Sequence, residues 1–185
     1  MRTMSPQGLA AELADDLDRA FPDLVRTLQD GVYSGALRMV GNRHDAEEIA
    51  QEAFLRAYRA LRAYPAERIR ELNPAAWVWT IAANLCRNHH RTRSRRPVTA
   101  ELSTDPAEAR RGPEAETIDH ELGDRLTAEL RRLTWPMRAA VVLHHVVGLP
   151  YEEVAAALDR PVGTVKADVH RGLARLRTRL QEVTP

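Results

Sequence analysis

The sequence has 185 residues but only one cysteine, few aromatic side chains and no long apolar run. Because Cys86 is alone, no internal disulfide can form, and we expect a reducing compartment, the cytoplasm. No apolar run exceeds about five residues, whereas a membrane-spanning helix needs roughly 20. The first residues turn acidic where an export signal would be apolar, so we expect no signal peptide. Direct membrane insertion is therefore not expected.

Aromatic residues make up only 5% of the chain, while Ala, Leu and Arg are abundant. Strands favour aromatic and β-branched residues, whereas Ala, Leu and Arg favour helices. We therefore predict an all-α fold. The sequence shows no Gly-rich phosphate loop and no convincing nucleophile–base set, so we expect neither an enzyme nor a cofactor.

The net charge of +1 hides a strong segregation of charge along the chain. Residues 1–54 hold five Arg and ten acidic residues, whereas residues 87–96 hold five Arg and no acid. Residues 160–179 hold six basic residues and one acid. Because basic stretches attract phosphate, we predict nucleic acid as the partner of the last two segments.

A segment with three prolines divides the chain. Residues 97–118 lack apolar periodicity and predict a flexible linker between a helical block over 1–96 and another over 119–185. At this size each block would be only marginally stable alone. In the first block we predict a short leading helix followed by helices that begin at Pro22, Asp45 and Pro74. In the second block we predict helices over 119–133, 136–147, 151–158 and 162–181.

The last two predicted helices have the layout of a helix-turn-helix, with Asp159-Arg160-Pro161 as the turn. The final helix carries small residues and cations opposite its apolar stripe. That pattern suits insertion into the major groove of duplex DNA. The alternative is a basic helical hairpin that is merely solvated.

The helix that begins at Pro74 carries a stripe that is first apolar, then amide-bearing and finally cationic: Trp77, Ile81, Asn84, Asn88, Arg91 and Arg95. Amides can bond base edges, Arg can hold phosphates and Trp can stack on an exposed base. Alternatively, Trp77 and Ile81 belong to the core, and the arginines form a solvated helix end that suits the helix dipole.

The helix that begins at Asp45 has an acidic polar face with an outward leucine, formed by Asp45, Glu48, Gln51, Glu52 and Leu55. Such a face would make poor contact with nucleic acid but could dock on a basic protein surface. Faces of this kind are also commonly only solvated.

Three segments resemble the extracytoplasmic-function (ECF) sigma factors of bacterial RNA polymerase, in the sigma-70 family. They are DAEEIAQEAFLRAYRAL (45–61), NPAAWVWTIAANLCRNHHR (73–91) and LPYEEVAAALDRPVGTVKADVHRGLARLR (149–177). The resemblance implies a region 2 domain over 1–96 and a helix-turn-helix region 4 domain over 119–185. It also implies a chain that directs core polymerase to promoters and assists melting, with an anti-sigma factor as a further partner.

The resemblance also implies roles for the candidate residues. The β′ clamp of the polymerase would meet Asp45, Glu48, Gln51, Glu52 and Leu55. The minus-ten element would meet Trp77, Asn84, Asn88, Arg91, Arg95 and Arg96, beside a base-capturing loop over 64–72. The minus-thirty-five element would meet Arg160, Thr164, Lys166, Ala167, His170 and Arg171. The outer face of region 4 would meet the β flap.

The departures from the family pattern lie in the second block, and two of them bear most directly on its DNA contacts. Pro150 replaces the Ser that often caps the first helix of the pair, which removes a cap worth about 1 kcal/mol. Asp168 stands where a basic, phosphate-facing residue is common, and we expect it to repel phosphate locally.

Two other functions are compatible with parts of the sequence. A stand-alone helix-turn-helix regulator would use only 119–185 and would leave the motifs at Asp45 and Trp77 without a role. A metal site at Cys86, His89 and His90 has too few ligands for zinc, which takes about four. We therefore expect no metal.

Overall fold

The computed structural model describes residues 6–95 and 114–182, and every regular element in these ranges is helical. This confirms the all-α prediction. The elements are α1 (Pro6–Asp15), α2 (Leu17–Val40), α3 (Arg43–Ala63), α4 (Ala66–Arg70), α5 (Pro74–Arg95), α6 (Glu114–Arg131), α7 (Trp135–Val141), a π-helical turn (Val142–Val146), α8 (Tyr151–Leu158) and α9 (Val162–Glu182).

Two helices begin five residues earlier than the sequence predicts, and α3 and α7 begin one or two residues earlier. Helix α2 begins at Leu17, not at Pro22, because the Asp16 carboxylate caps it by accepting a hydrogen bond from the Arg19 amide at 3.1 Å. Helix α6 begins at Glu114, five residues before the predicted start at 119. Residues 96–113, which include Arg96 and most of the predicted linker, lie outside the described residues.

The first unit, α1–α5, is built around α2, α3 and α5, whose apolar faces meet in one core. Trp79 of α5 is buried and packs against α2 where that helix carries Gly31 and Gly35. A Cβ atom at Gly35 would lie 2.5 Å from the Trp79 ring. Glycine at this position therefore allows α2 and α5 to approach closely enough to enclose the indole.

The second unit, α6–α9, packs α7 against α9, with α8 completing the helix-turn-helix. The stripe predicted for α9 forms its core face, where Val165, Val169 and Leu176 are buried. Gly172 faces Val141 of α7 so closely that a Cβ atom there would clash. This contact sets the spacing between α7 and the recognition helix.

The two units pack directly against each other, which the sequence did not predict. Helix α5 lies against α8, and α2 lies against both α6 and the π-helical turn. Val147 of the second unit reaches the same place on α2 where Trp79 meets Gly35. Each unit thus buries apolar surface of the other, which fits the marginal stability expected of such small blocks.

Arg138 of α7 ties the ends of two other helices together although it is only 8% exposed. Its Nη1 donates to the Met39 carbonyl oxygen of α2 at 2.7 Å. Its Nη2 donates to the carbonyl oxygens of Arg131 and Leu133, at 2.8 and 3.2 Å, where α6 ends. Burial lowers the pKa of this guanidinium, but arginine stays protonated in proteins. The negative ends of two helix dipoles therefore stabilise the buried cation.

We expect Arg138→Met to lower the free energy of unfolding by about 2–4 kcal/mol, because buried carbonyls lose their donor. Arg125→Met on the exposed surface of α6 is the control, and it should change stability by no more than about 0.5 kcal/mol. Urea denaturation followed by circular dichroism measures both values. Equal stability of the two variants would show that Arg138 does not hold the helix ends.

His90 of α5 stacks on Trp135 of the second unit, with ring centroids 5.0 Å apart and planes 13° from parallel. Burial lowers the pKa of His90, and the positive charge of Arg138 and the neighbouring His89 lower it further. The folded chain therefore binds fewer protons at His90 than the unfolded chain, so stability increases with pH through this group.

The stability that neutral His90 contributes to the fold should be fully present above the ordinary histidine pKa of about 6.5. It should decline as the pH falls below that value, because protonation favours the unfolded chain. His90→Phe keeps an aromatic ring on Trp135 but cannot take a proton. Urea denaturation between pH 7.5 and pH 5 should show a smaller loss of stability for this variant than for the wild type. The same loss in both chains would assign the pH dependence to other groups.

Candidate nucleic-acid and protein interfaces

Most of the acidic face predicted on α3 is open to solvent. Glu48, Gln51 and Leu55 are exposed, and Leu55 keeps 43% of its surface accessible. Glu52 is half-buried, and its carboxylate accepts a hydrogen bond from Arg56 Nε at 2.6 Å. These four side chains form an acidic strip around one large apolar group, which can contact a protein.

Asp45 differs from the rest of this set, because its side chain is only 19% exposed and turns towards α5. Its Oδ2 lies 3.3 Å from His89 Nε2 and 3.4 Å from Arg93 Nη1. Its amide donates to Asn42 Oδ1 at 2.9 Å, which caps α3. Asp45 therefore holds the start of α3 to the basic end of α5.

The structure brings the 64–72 segment and Trp77 together, as expected. Trp77 is half-buried, and its ring lies 5.9 Å from that of Tyr64, tilted by 53°. The Arg68 guanidinium lies 3.8 Å from the centroid of the Tyr64 ring. A cation, a phenol and an indole thus lie together at the start of α5, a combination that suits stacking on bases.

The amide and cationic residues of the α5 stripe fall into an exposed group and one residue that contacts a neighbouring side chain. Asn88, Arg91 and Arg95 are exposed on the second half of the helix. Asn84 is half-buried, and its Oδ1 accepts a hydrogen bond from Arg87 Nη2. Because Arg87 also donates to the Leu158 carbonyl at 3.0 Å, Asn84 belongs to a network between the two units.

The helix-turn-helix forms with the predicted boundaries of α8. Asp159 ends that helix in the left-handed conformation (φ 53°, ψ 55°), which Asp tolerates better than most residues. Pro150 precedes α8 and provides no side-chain cap, as expected. Lys166, His170 and Arg171 are exposed along α9, while Arg160, Thr164 and Ala167 are half-buried. The six predicted residues lie in and beside the recognition helix.

Asp168 is not the outward, phosphate-repelling group that we expected. It is only 4% exposed, and its two carboxylate oxygens accept hydrogen bonds from Arg160 Nη1 and from Arg171 Nη2, the latter at 2.8 Å. One buried anion is thus shared by two of the cations assigned to DNA. The outward orientation expected from sequence is wrong, because the carboxylate is directed inward and paired with the two arginines.

Cys86 and its histidine neighbours do not form a metal site. Across residues 6–95 and 114–182, no three His, Cys, Asp or Glu side chains are arranged to hold a metal ion. Cys86 is buried, and burial raises the pKa of its thiol to about 12. Within the same ranges no helix combines the length and apolar character that crossing a membrane requires.

Sequence reasoning missed three residues that organise these surfaces: Arg87, His89 and Arg138. Each contacts a residue far away in the chain, and Arg138 bonds a carbonyl 99 positions distant. In a chain so rich in arginine, no local pattern distinguishes these side chains from solvated ones.

Known families and proteins match both units. The family description Sigma-70 region 2 matches residues 24–96, and Sigma-70, region 4 matches residues 123–176. The ECF RNA polymerase sigma factor SigE of Mycolicibacterium smegmatis is 38% identical over 180 residues, which cover 93% of this chain and 67% of SigE. The ECF RNA polymerase sigma factor SigW of Bacillus subtilis is 32% identical over 175 residues, which cover 89% of this chain and 90% of SigW.

Solved structures share the fold. CnrH, solved in complex with the cytosolic domain of CnrY, superposes with a TM-score of 0.70 at 24% identity and covers 97% of this chain and 99% of its own. The sigma factor RpoE of Bartonella quintana, solved with the anti-sigma factor NepR, superposes with a TM-score of 0.65 at 21% identity and covers 89% of this chain and 98% of its own. The chain therefore belongs to the ECF sigma factors of the sigma-70 family, the regulatory subunits that direct RNA polymerase to promoters.

Proposed function

We propose that this sigma factor binds the core polymerase through α3, reads the minus-ten element with α5 and reads the minus-thirty-five element with α9. Region 2 comprises the first unit and region 4 the second. One observation supports the proposal most strongly: the chain carries an exposed acidic strip on α3 and two separate basic helices. Of these helices, α5 offers rings and amides, and α9 offers a helix-turn-helix surface.

The docking contact on the β′ clamp is assigned to Glu48, Gln51, Glu52 and Leu55. The exposure of Glu48, Gln51 and Leu55 supports this role, since a protein partner would cover an apolar side chain ringed by acids. Asp45 has an indirect role, because it holds α5 against α3. The distance and orientation between the docking surface and the reading surface are thereby fixed.

The minus-ten contact combines stacking with amide and phosphate contacts. Trp77 and Tyr64 offer ring surface for an unstacked base, which would assist melting, and Asn88 offers an amide for a base edge. Arg91 and Arg95 hold the backbone, with Arg96 expected beside them. Asn84 becomes available only when Arg87 releases it.

The minus-thirty-five contact is made by α9 in the major groove. The buried carboxylate of Asp168 positions Arg160 and Arg171 by accepting one hydrogen bond from each. The remaining N–H groups of both arginines stay available for DNA. Thr164, Lys166, Ala167 and His170 complete the surface. The exposed Val146, at the end of the π-helical turn, gives the outer face of region 4 an apolar contact for the β flap.

An anti-sigma factor is a further proposed partner, because the RpoE neighbour was solved with NepR bound. Because bacterial RNA polymerase acts in the cytoplasm, we propose the same location for this chain. A stand-alone helix-turn-helix regulator is not favoured, since the region 2 match over 24–96 accounts for the half of the chain that such a regulator would not use.

Run-off transcription on a library of genomic fragments tests the function directly. Core polymerase with the chain should initiate at a limited set of sites that core alone does not use. Initiation no greater than that of core alone would reject the proposal.

Leu55→Asp should weaken binding to core polymerase at least tenfold, because it replaces an apolar contact worth about 1.5–3 kcal/mol with a charge. Ala63→Asp adds the same charge at the exposed end of α3 and serves as the control. Fluorescence titration with core polymerase measures both. Equal affinities would remove Leu55 from the docking surface.

Asp168→Asn distinguishes positioning from repulsion by the sign of its effect. If the carboxylate repelled phosphate, its removal would tighten binding. We predict roughly five- to tenfold weaker binding to a duplex that carries the selected minus-thirty-five sequence, since about 1 kcal/mol or more of charge-assisted bonding is lost at the two arginines.

Asp159→Asn removes the same charge from the turn of the same motif and is the matched control. Asparagine also tolerates the left-handed backbone conformation there. Fluorescence anisotropy at constant salt measures the affinity for the specific duplex and for an unrelated duplex. The loss of affinity caused by Asp168→Asn should be larger for the specific duplex. Tighter binding by Asp168→Asn would contradict the positioning role.

A further inference from the structure

A stack of aromatic rings lies at the start of the helix-turn-helix. The rings of His144 and Tyr151 have centroids 3.9 Å apart and planes 25° from parallel. The His145 ring meets that of His144 edge-on, with centroids 4.7 Å apart. His144 and Tyr151 are both half-buried. The stack joins the π-helical turn to the first residue of α8.

A hydrogen bond to the backbone fixes the orientation of His144. Its Nδ1 lies 2.8 Å from the Leu149 carbonyl oxygen. Because a carbonyl oxygen can only accept, Nδ1 carries the hydrogen and donates it. Gly148 lies between the two residues with φ 85°, a left-handed conformation that favours glycine and turns the chain back towards His144. The ring that supports Tyr151 is therefore itself held in place.

The Tyr151 ring also contacts the recognition helix, because the ammonium of Lys166 lies over it, 5.4 Å from the centroid. Within residues 6–95 and 114–182 no ion pair includes Lys166. It is also the only lysine among the 27 Lys and Arg residues of the chain. The negative face of an aromatic ring attracts a cation at this distance without neutralising its charge. Since Lys166 is exposed, that charge stays available to DNA.

The cations assigned to the minus-thirty-five element are thus held in two different ways. The buried carboxylate of Asp168 holds Arg160 and Arg171, whereas an aromatic ring holds Lys166. A lysine ammonium lies at the end of a flexible stem, which loses conformational freedom when DNA fixes it. A side chain that is already ordered in the free protein loses less on binding. A ring that orders Lys166 should therefore increase the affinity for DNA.

We propose that Tyr151 is a positioning residue for promoter reading: its ring, supported by His144, orients the ammonium of Lys166 for contact with the minus-thirty-five duplex. The proposal rests on the proposed reading by α9. Tyr151 needs no contact of its own with DNA in this role. Its effect on affinity must therefore depend on Lys166, which distinguishes positioning from general support of α8.

Nuclear magnetic resonance of the full chain tests the contact without DNA. Isotopic labelling of lysine gives one set of side-chain signals, because Lys166 is the only lysine. The ring current of Tyr151 should shift the ε-methylene protons upfield in the wild type. Tyr151→Phe keeps the ring and should keep the shift, whereas Tyr151→Leu should lose it. The same proton shift in all three chains would overturn the proposal.

His144→Leu provides a second variant, which leaves Tyr151 in place but removes the ring that supports it. The upfield shift of the Lys166 protons should become smaller in this variant, because the Tyr151 ring is less well ordered. Circular dichroism should give the same helix content for all these chains. An unchanged Lys166 shift in His144→Leu would overturn the supporting role of His144.

Fluorescence anisotropy with a duplex that carries the selected minus-thirty-five sequence tests the role in reading. Tyr151→Leu should bind roughly two- to fivefold more weakly than the wild type, the effect of one exposed contact between a cation and a ring. Tyr151→Phe should bind as the wild type does. In a Lys166→Met background Tyr151→Leu should cause no further loss, because the cation that it positions is absent. An equal loss in both backgrounds would overturn the proposal.

The wild-type chain separates this proposal from the reading role on which it rests. If the wild type preferred the specific duplex but Tyr151→Leu bound it equally well, only the positioning role would be overturned. If the wild type bound specific and unrelated duplexes equally although the upfield shift was present, reading by α9 would be rejected, and the positioning role with it.

Discussion

The buried guanidinium of Arg138 is the constraint on which the arrangement of the whole chain depends. An isolated cation in a protein interior is very unfavourable unless polar groups surround it. Among the described residues its partners are carbonyl oxygens near the ends of α2 and α6, not a carboxylate. The C-terminal ends of those helices must therefore converge on α7. This side chain therefore links region 4 to the end of α2 in region 2.

The local structure of this chain was largely predictable from the sequence, because local structure follows from local chemistry. The boundaries of α8, the core stripe of α9 and the long α5 all follow from apolar periodicity and from proline positions. The start of α2 was misplaced because Pro22 was treated as a first residue, whereas Asp16 provides the actual cap. The start of α6 was misplaced because residues 114–118 were assigned to the linker.

The tertiary placement of charged side chains was not predictable in the same way. The inward orientation of Asp168 depends on Arg160, which lies eight residues earlier across the turn. Asp45 was predicted to be exposed, but it is held by His89 and Arg93 of another helix. A sequence pattern places a residue on a helical face. Whether that face meets solvent or another helix depends on packing between distant segments.

Helix α5 packs against α8 of the second unit in the free chain, whereas the proposed promoter contacts require α5 and α9 to meet elements that lie far apart on DNA. Spin labels at Ala63→Cys and Thr178→Cys report the separation of the two units, since Cys86 is buried and its thiol stays protonated. Double electron–electron resonance should show one short distance in the free chain and an increase of tens of ångströms in the polymerase–promoter complex. The same distance in both states would contradict the account.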